Sequence, residues 1–210
     1  LTYWAWEGAN SEVRVQTSGD GGLTWSASTR ISDHPAGDFS PSVTQTLDGT
    51  IWVVWSSSRS GQSEIWHRTS ADGGASWSDE TPAALSSNPK SDPEAASLMD
   101  GSLLLAWQEC SGTCRILFAR SDNQGASWSS AVTVGSDEFD NRWPSIAVTP
   151  DERIWIAWTS WRNSNPNSRS NWDILYAESN DGGSTWSDEI QFTAHAGPDE
   201  HPEITPLTHH

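Results

Sequence analysis

Three tryptophans, two arginines and a handful of carboxylates are the residues whose types and placement in this chain could do chemistry. The segment Ser160-Trp-Arg-Asn-Ser-Asn-Pro-Asn-Ser-Arg-Ser-Asn-Trp172 sets Trp161 and Trp172 around Arg162, Asn163, Arg169 and further asparagines. Indole faces stack on the C–H faces of sugar rings, while amides and guanidinium groups bond their hydroxyls. The same mix suits a protein contact, where Trp and Arg are favoured anchors. A third reading makes the two Trp a lid over one end of the domain. Upstream, the acidic linker Ser136-Asp-Glu-Phe-Asp-Asn-Arg142 runs into Trp143. Trp161, Trp172, Trp143, Arg142, Arg162 and Asn163 form the candidate ligand-binding set.

The carboxylates offer a second chemistry. Glu94 and Glu203 each follow a proline, at places where Ser42 and Ser145 stand in the other two copies of the same pattern. If four such units close a ring, the two glutamates face each other across a central tunnel. Two carboxyls can share acid and base roles in glycoside hydrolysis, and Asp140 of the linker is a further candidate. The same pair could hold calcium or another hard cation through oxygen. The plain alternative is that both side chains reach solvent at the tunnel mouth.

These residues must be positioned by a repeat. Ser18-Gly-Asp20-Gly-Gly22-Leu-Thr24-Trp25 returns as Ser70-Ala-Asp72-Gly-Gly74-Ala-Ser76-Trp77, as Ser121-Asp-Asn123-Gln-Gly125-Ala-Ser127-Trp128, and as Ser179-Asn-Asp181-Gly-Gly183-Ser-Thr185-Trp186. A period of this size marks a propeller or solenoid. Asp20, Asp72, Asn123 and Asp181 read as turn formers, accepting loop amides through the side chain. The amide at Asn123 keeps such a bond without a charge. Trp25, Trp77, Trp128 and Trp186 read as packing residues. Between these turns each unit begins at a Pro and passes a turn such as Asp48-Gly49. It then runs through an apolar strand ending in Trp, a third strand and a fourth. That predicts four short antiparallel strands per unit, the pattern of a propeller blade.

The expected fold is therefore all-β: one four-bladed propeller over residues 1–210. Blade 1 combines 201–207 with 1–32, blade 2 is 41–86, blade 3 is 93–135 and blade 4 is 144–194. The chain opens on a second strand and ends on a lone first strand, so pairing the two would close the ring. Two four-blade chains in one larger ring is the alternative. The monomer is the simpler expectation.

Composition narrows the partners. The 28 Asp and Glu outnumber the 11 Lys and Arg, for a net charge of -17, which repels nucleic acid and anionic membranes. No stretch approaches the roughly 18 apolar residues that suggest a membrane span. Cys110 and Cys114 flank a Gly turn and read as a small disulfide, which implies an oxidising, extracytoplasmic setting. A start at Leu1 fits loss of an upstream leader and equally a chain trimmed at that point.

The repeated turns resemble the Asp boxes, or BNR repeats, of sialidase-like propellers, and the resemblance spans essentially the whole chain. That family includes sialidases, other glycoside hydrolases, lectins and receptor ectodomains, so it implies a fold and leaves function open. Sialidase activity would imply three carboxylate-gripping Arg and a Tyr nucleophile. Only Arg142 matches the first-strand Arg motif, and Tyr3 and Tyr176 fall at strand-packing positions. The expectation is a secreted, non-catalytic propeller that binds a glycan or a cell-surface partner through its Trp-rich face. A glycoside hydrolase and a structural module of an extracellular assembly are the alternatives.

Overall fold

A computed structural model describes residues 1–83, 87–162, 172–195 and 197–206. It contains four antiparallel sheets and, among the described residues, no helix. The first sheet holds β1 (Thr2–Glu7), β2 (Asn10–Val15) and β3 (Thr29–Arg30). The second holds β4 (Asp38–Gln45), β5 (Ile51–Ser57), β6 (Glu64–Ser70) and β7 (Thr81–Pro82). The third holds β8 (Lys90–Ser97), β9 (Leu103–Ser111), β10 (Thr113–Ser121) and β11 (Val132–Val134). The fourth holds β12 (Asp140–Val148), β13 (Ile154–Trp161), β14 (Asp173–Ser179) and β15 (Ile190–Gln191). Within each sheet the strands run in chain order.

The sheets stack face to face in sequence, which is why their second strands are apolar on both sides. Trp55 packs with Val13, Val15 and Ile31 of the first sheet. Trp107 packs with Val54 and Ile65 of the second, and Trp158 with Ile116 and Phe118 of the third. All three indoles are 0% exposed, so truncating any one to Ala is expected to cost about 3–5 kcal/mol. Trp6 occupies the same repeat position with no sheet before it, and it is 71% exposed.

Two expectations change. First strands begin about three residues before the predicted prolines, because each Pro sits inside the strand at a bulge. The ladders skip between Phe39 and Ser42, Ser91 and Glu94, and Arg142 and Ser145. The residue before each Pro takes a positive φ: 51° at Ser40, 51° at Asp92, 52° at Trp143 and 56° at His201. Residues before proline ordinarily favour extended backbone, and the bulge overrides that preference.

The second change concerns ring closure. The first sheet has three strands, and β1 pairs only with β2 among the described residues. Residues 201–206 form no ladder with β1. They dock instead on the fourth sheet, as a first strand docks on the sheet before it. The His201 N–H donates to Thr159 Oγ1 (3.0 Å) and the Ile204 N–H to Ser145 Oγ (3.1 Å). Within the chain, Asp92 N–H to Ser56 Oγ and Ala95 N–H to Ser42 Oγ are the same two bonds two joints earlier. Packing between sheets runs first to second, second to third and third to fourth.

Candidate functional site

The bulged first strands throw two tiers of side chains toward the axis of the stack. The outer tier is Ser40, Asp92, Trp143 and His201. The Ser40 hydroxyl donates to Asp92 Oδ1 (2.7 Å), and Trp143 stacks on His201 with centroids 4.0 Å apart. The inner tier is Ser42, Glu94, Ser145 and Glu203, where the Ser42 hydroxyl donates to Glu94 Oε2 (2.9 Å).

An aromatic row extends outward from the upper tier. Trp172 lies 6.1 Å from Trp143 and 6.0 Å from Trp161, measured between ring centroids. Three tryptophans singled out in the sequence thus form one continuous surface, and His201 lengthens it. Trp143, Trp161 and Trp172 are each partly covered, and His201 is exposed. The Trp161 indole nitrogen is buried without a hydrogen-bond partner among the described residues. Trp143 is held by its backbone, whose N–H donates to Gln108 Oε1, while Gln108 Nε2 donates to Ser91 Oγ. Asn163, and Arg169 beside it, lie outside the described residues.

The arginines are engaged elsewhere. Arg142 forms an ion pair with Asp140 at 3.1 Å, and Asp140 Oδ1 also accepts the Cys114 N–H. Asp140 is therefore a clamp between blades and not an unengaged acid. Arg162 pairs with Glu189 and lies over the Phe139 ring at 4.7 Å. Arg59 repeats this one unit pair earlier: it pairs with Glu80 and lies over Trp66 at 4.0 Å. The two glutamates also accept backbone N–H groups of the chain that enters their own sheet from the preceding one, at Asp33 and Ser136. Arg162 is thus one half of a repeated clasp. Its match with Arg59, each four residues past a second-strand Trp, was available in the sequence.

The glutamates show the electrostatics of a shared site. Burial pushes the Glu94 carboxyl up to about 7; the Ser42 hydrogen bond opposes this, and the charges of Glu203 and Asp92 add to it. Glu203 is exposed. No third His, Cys, Asp or Glu joins the pair to make a metal-binding group among the described residues. An acidic group escaped the sequence reading: Asp173, covered beside Trp172, has its carboxyl raised by burial and by Asp199, which contacts His195 at 3.2 Å.

The Asp boxes lie at the opposite ends of the strands. In the first, Asp20 Oδ1 accepts the Thr24 N–H (2.9 Å) and Oδ2 accepts the Thr24 hydroxyl (2.6 Å). Asp72 and Asp181 repeat both bonds, to Ser76 and Thr185. Asn123 accepts the Ser127 N–H and donates to its hydroxyl. Trp77, Trp128 and Trp186 pack against the core clusters, while Trp25 is 47% exposed. A recess of about 710 Å³ opens between the third and fourth boxes, lined by Phe118, Arg120, Asn123 and Gly183. It shares no residue with the aromatic row. Cys110 and Cys114 face each other across the β9–β10 hairpin and are disulfide-bonded.

Comparison with known proteins settles the family. A profile of the BNR repeat-like domain matches residues 7–156. The chain belongs to the BNR repeat-like family. No curated protein matches it. Among solved structures it resembles a protein of unknown function from Dyadobacter fermentans, at 19% identity and TM-score 0.70, covering 86% of this chain and 58% of that one. It also resembles the GH93 alpha-L-arabinofuranosidase of Fusarium graminearum, at 17% identity and TM-score 0.68, covering 92% and 62%. A leech intramolecular trans-sialidase follows at 14% identity and TM-score 0.65, covering 87% and 46%. At these identities the likeness shows the sialidase-like propeller fold alone. The BNR chain spans between 46% and 62% of the length of these three structures.

Proposed function

We propose that this BNR chain is an extracytoplasmic carbohydrate-binding module that uses the Trp161–Trp172–Trp143–His201 row and performs no chemistry on the sugar. The observation that carries this reading is the continuity of the row: four aromatic rings in succession beside the hydroxyl and carboxyl groups of Ser40 and Asp92. Such a surface stacks on sugar faces and bonds their hydroxyls. Arg142 and Arg162 already neutralise Asp140 and Glu189, which favours a neutral glycan over an acidic one. The disulfide fits an oxidising compartment.

The test is a glycan array with wild type, Trp161→Ala/Trp172→Ala and Trp143→Ala. Binding to neutral glycans that falls at least tenfold in both variants supports the reading. Binding that survives both variants, or no binding by wild type, overturns it.

Glu94 favours one second reading, a glycoside hydrolase. A carboxyl held near 7 beside a second, exposed carboxyl at Glu203 resembles the paired carboxyls of such an enzyme. Turnover of chromogenic arabinofuranosides or sialosides that disappears in Glu94→Gln, with glycan binding retained, would establish it. A cation between these glutamates would need both ionised, with the Ser42 and Ser145 hydroxyls as further oxygen ligands; calcium-dependent thermal stabilisation is its measurement.

A further inference from the structure

A bulge precedes each of the four aligned prolines, yet only the one entering the fourth sheet carries an indole. The support of that indole departs from the repeat at two places, and both lie on the third sheet. The first is Gln108. At two other joints a short hydroxyl receives the N–H of the bulge residue: Ser56 Oγ takes it from Asp92 and Thr159 Oγ1 from His201, each at 3.0 Å. Gln108 stands at the same repeat position, directly after the second-strand Trp, and takes the Trp143 N–H on Oε1 at 3.0 Å. A glutamine amide oxygen lies two carbons further from its backbone than a serine hydroxyl. The longer arm is braced, because Gln108 Nε2 donates to Ser91 Oγ at 2.9 Å and the residue is 6% exposed.

The second departure is a hairpin tip. The β5–β6 ladder ends at Ser57 and Glu64, whose counterparts in the third sheet are Glu109 and Arg115. β9 and β10 run further, through Cys110 and Cys114 to Ser111 and Thr113, and turn on Gly112 at φ 94°. The disulfide closes the first of these extra rungs. The extension reaches the neighbouring sheet: the Cys114 N–H donates to Asp140 Oδ1 at 3.0 Å, and Asp140 Oδ2 accepts the Arg142 Nε–H at 3.1 Å. Gly37 and Pro89 hold the place of Asp140 in the two preceding units, and neither has a side chain for this contact. The start of β12 is therefore gripped twice, at Asp140 by the disulfide-closed tip and at Trp143 by Gln108. Between the two, Asn141 is 0% exposed and accepts the Trp158 indole N–H.

We propose that Gln108 and the Cys110–Cys114 hairpin are positioning elements of the aromatic row, fixing the Trp143 ring where it meets Trp172. This rests on the row being the sugar-binding surface, and concerns the placement of one ring within it. The two departures on the third sheet face the two on the fourth, Gln108 against Trp143 and Cys114 against Asp140. Such matching is what the adjustment of a single joint to an indole requires. Gln108→Ser withdraws the acceptor from the Trp143 N–H and leaves that donor unpaired. Opening the disulfide frees the tip that holds Asp140. Gln108 and Cys114 are buried, so neither change removes a group that a sugar would reach.

The first readout needs no ligand: the indole N–H signals in heteronuclear NMR spectra of wild type, Gln108→Ser and Cys110→Ala/Cys114→Ala. Trp55, Trp143 and Trp172 are assigned by single Trp→Phe substitutions. Both variants are expected to move the Trp143 and Trp172 signals and to leave Trp55, between the first and second sheets, in place. Unmoved Trp143 and Trp172 signals overturn the proposal. The variants act at separate contacts, so a fold lost in one leaves the other decisive. The second readout is affinity for neutral hexasaccharides of arabinose, glucose and mannose. Each variant is expected to bind about tenfold more weakly than wild type, the size of a coupling between residues in contact, and to change nothing in a chain that already carries Trp143→Ala. Losses that add in full to that of Trp143→Ala also overturn the proposal. A wild type that binds none of these sugars overturns the carbohydrate reading, and the indole signals then decide the placement of Trp143 by themselves.

Discussion

At the scale of single residues, ionisation distinguishes the two ends of the strands. Hydrogen bonds from Thr24, Ser76 and Thr185 hold the Asp20, Asp72 and Asp181 carboxyls down to about 2. A depressed folded-state pKa adds stability above the unfolded value, lost as pH falls from about 4 to 2. Asn123 shows that an amide makes the same turn without titrating. The stability difference between wild type and Asp72→Asn, from urea unfolding, is therefore expected to shrink as pH drops through that window. A difference constant from pH 6 to 2.5 would contradict the assignment. Glu94 has the reverse sign. Its folded value of about 7 lies above the ordinary 4.5, so the fold loses stability as pH rises between them. Glu94→Gln is expected to stabilise by about 3 kcal/mol at pH 8 and by almost nothing at pH 4. Equal effects at both pH values would show that desolvation does not govern this carboxyl.

At the scale of elements, the clasp explains how loops are held over the sheet edges. Arg59 is 8% exposed and faces Asp38, which is fully buried and also accepts the Trp55 indole N–H at 3.1 Å. Arg59→Ala leaves a buried carboxylate with that one indole, and is expected to cost about 3 kcal/mol in chemical denaturation. Arg153→Ala, whose side chain is 43% exposed and pairs with the partly exposed Asp151 and Glu178, is expected to cost under about 1 kcal/mol. Comparable losses would argue against the clasp. This is also where the sequence misled. Arg162 drew attention because it sits between two unmatched Trp, yet Arg59 and Glu80 repeat its surroundings in register. Trp143, Trp161 and Trp172 have no repeat counterpart, and the structure brings their rings together on one surface. His201 was hidden because its stretch read as a ring-closing strand. The early first strands were hidden because the proline rule favours extended backbone before Pro, and packing at the bulge outweighs it.

At the scale of the whole molecule, blade count and strand order were legible from the repeated boxes, while closure was not. Complementary ends arise from any whole-unit cut of a repeating array, whether or not they meet. Packing between sheets yields a directional prediction. Gly183 has φ 88° and no room for a methyl group against Phe118, whereas Gly22 has φ 91° and an open side. Gly183→Ala is expected to lose about 3 kcal/mol or more, combining backbone strain with overpacking. Gly22→Ala is expected to lose about 1 kcal/mol from strain alone. Equal losses in the isolated monomer would mean that the joints do not carry the stability of the stack.

The bulge before each first-strand proline has a further consequence. Ser, Asp, Trp and His occupy this position in turn, all with φ between 51° and 56°. The backbone geometry is therefore imposed by the sheet and is indifferent to the side chain it presents. Recognition at the mouth can then be rewritten like type in a fixed frame, one letter per blade. A lineage, or a designer, could exchange these four letters while the scaffold that displays them stays the same.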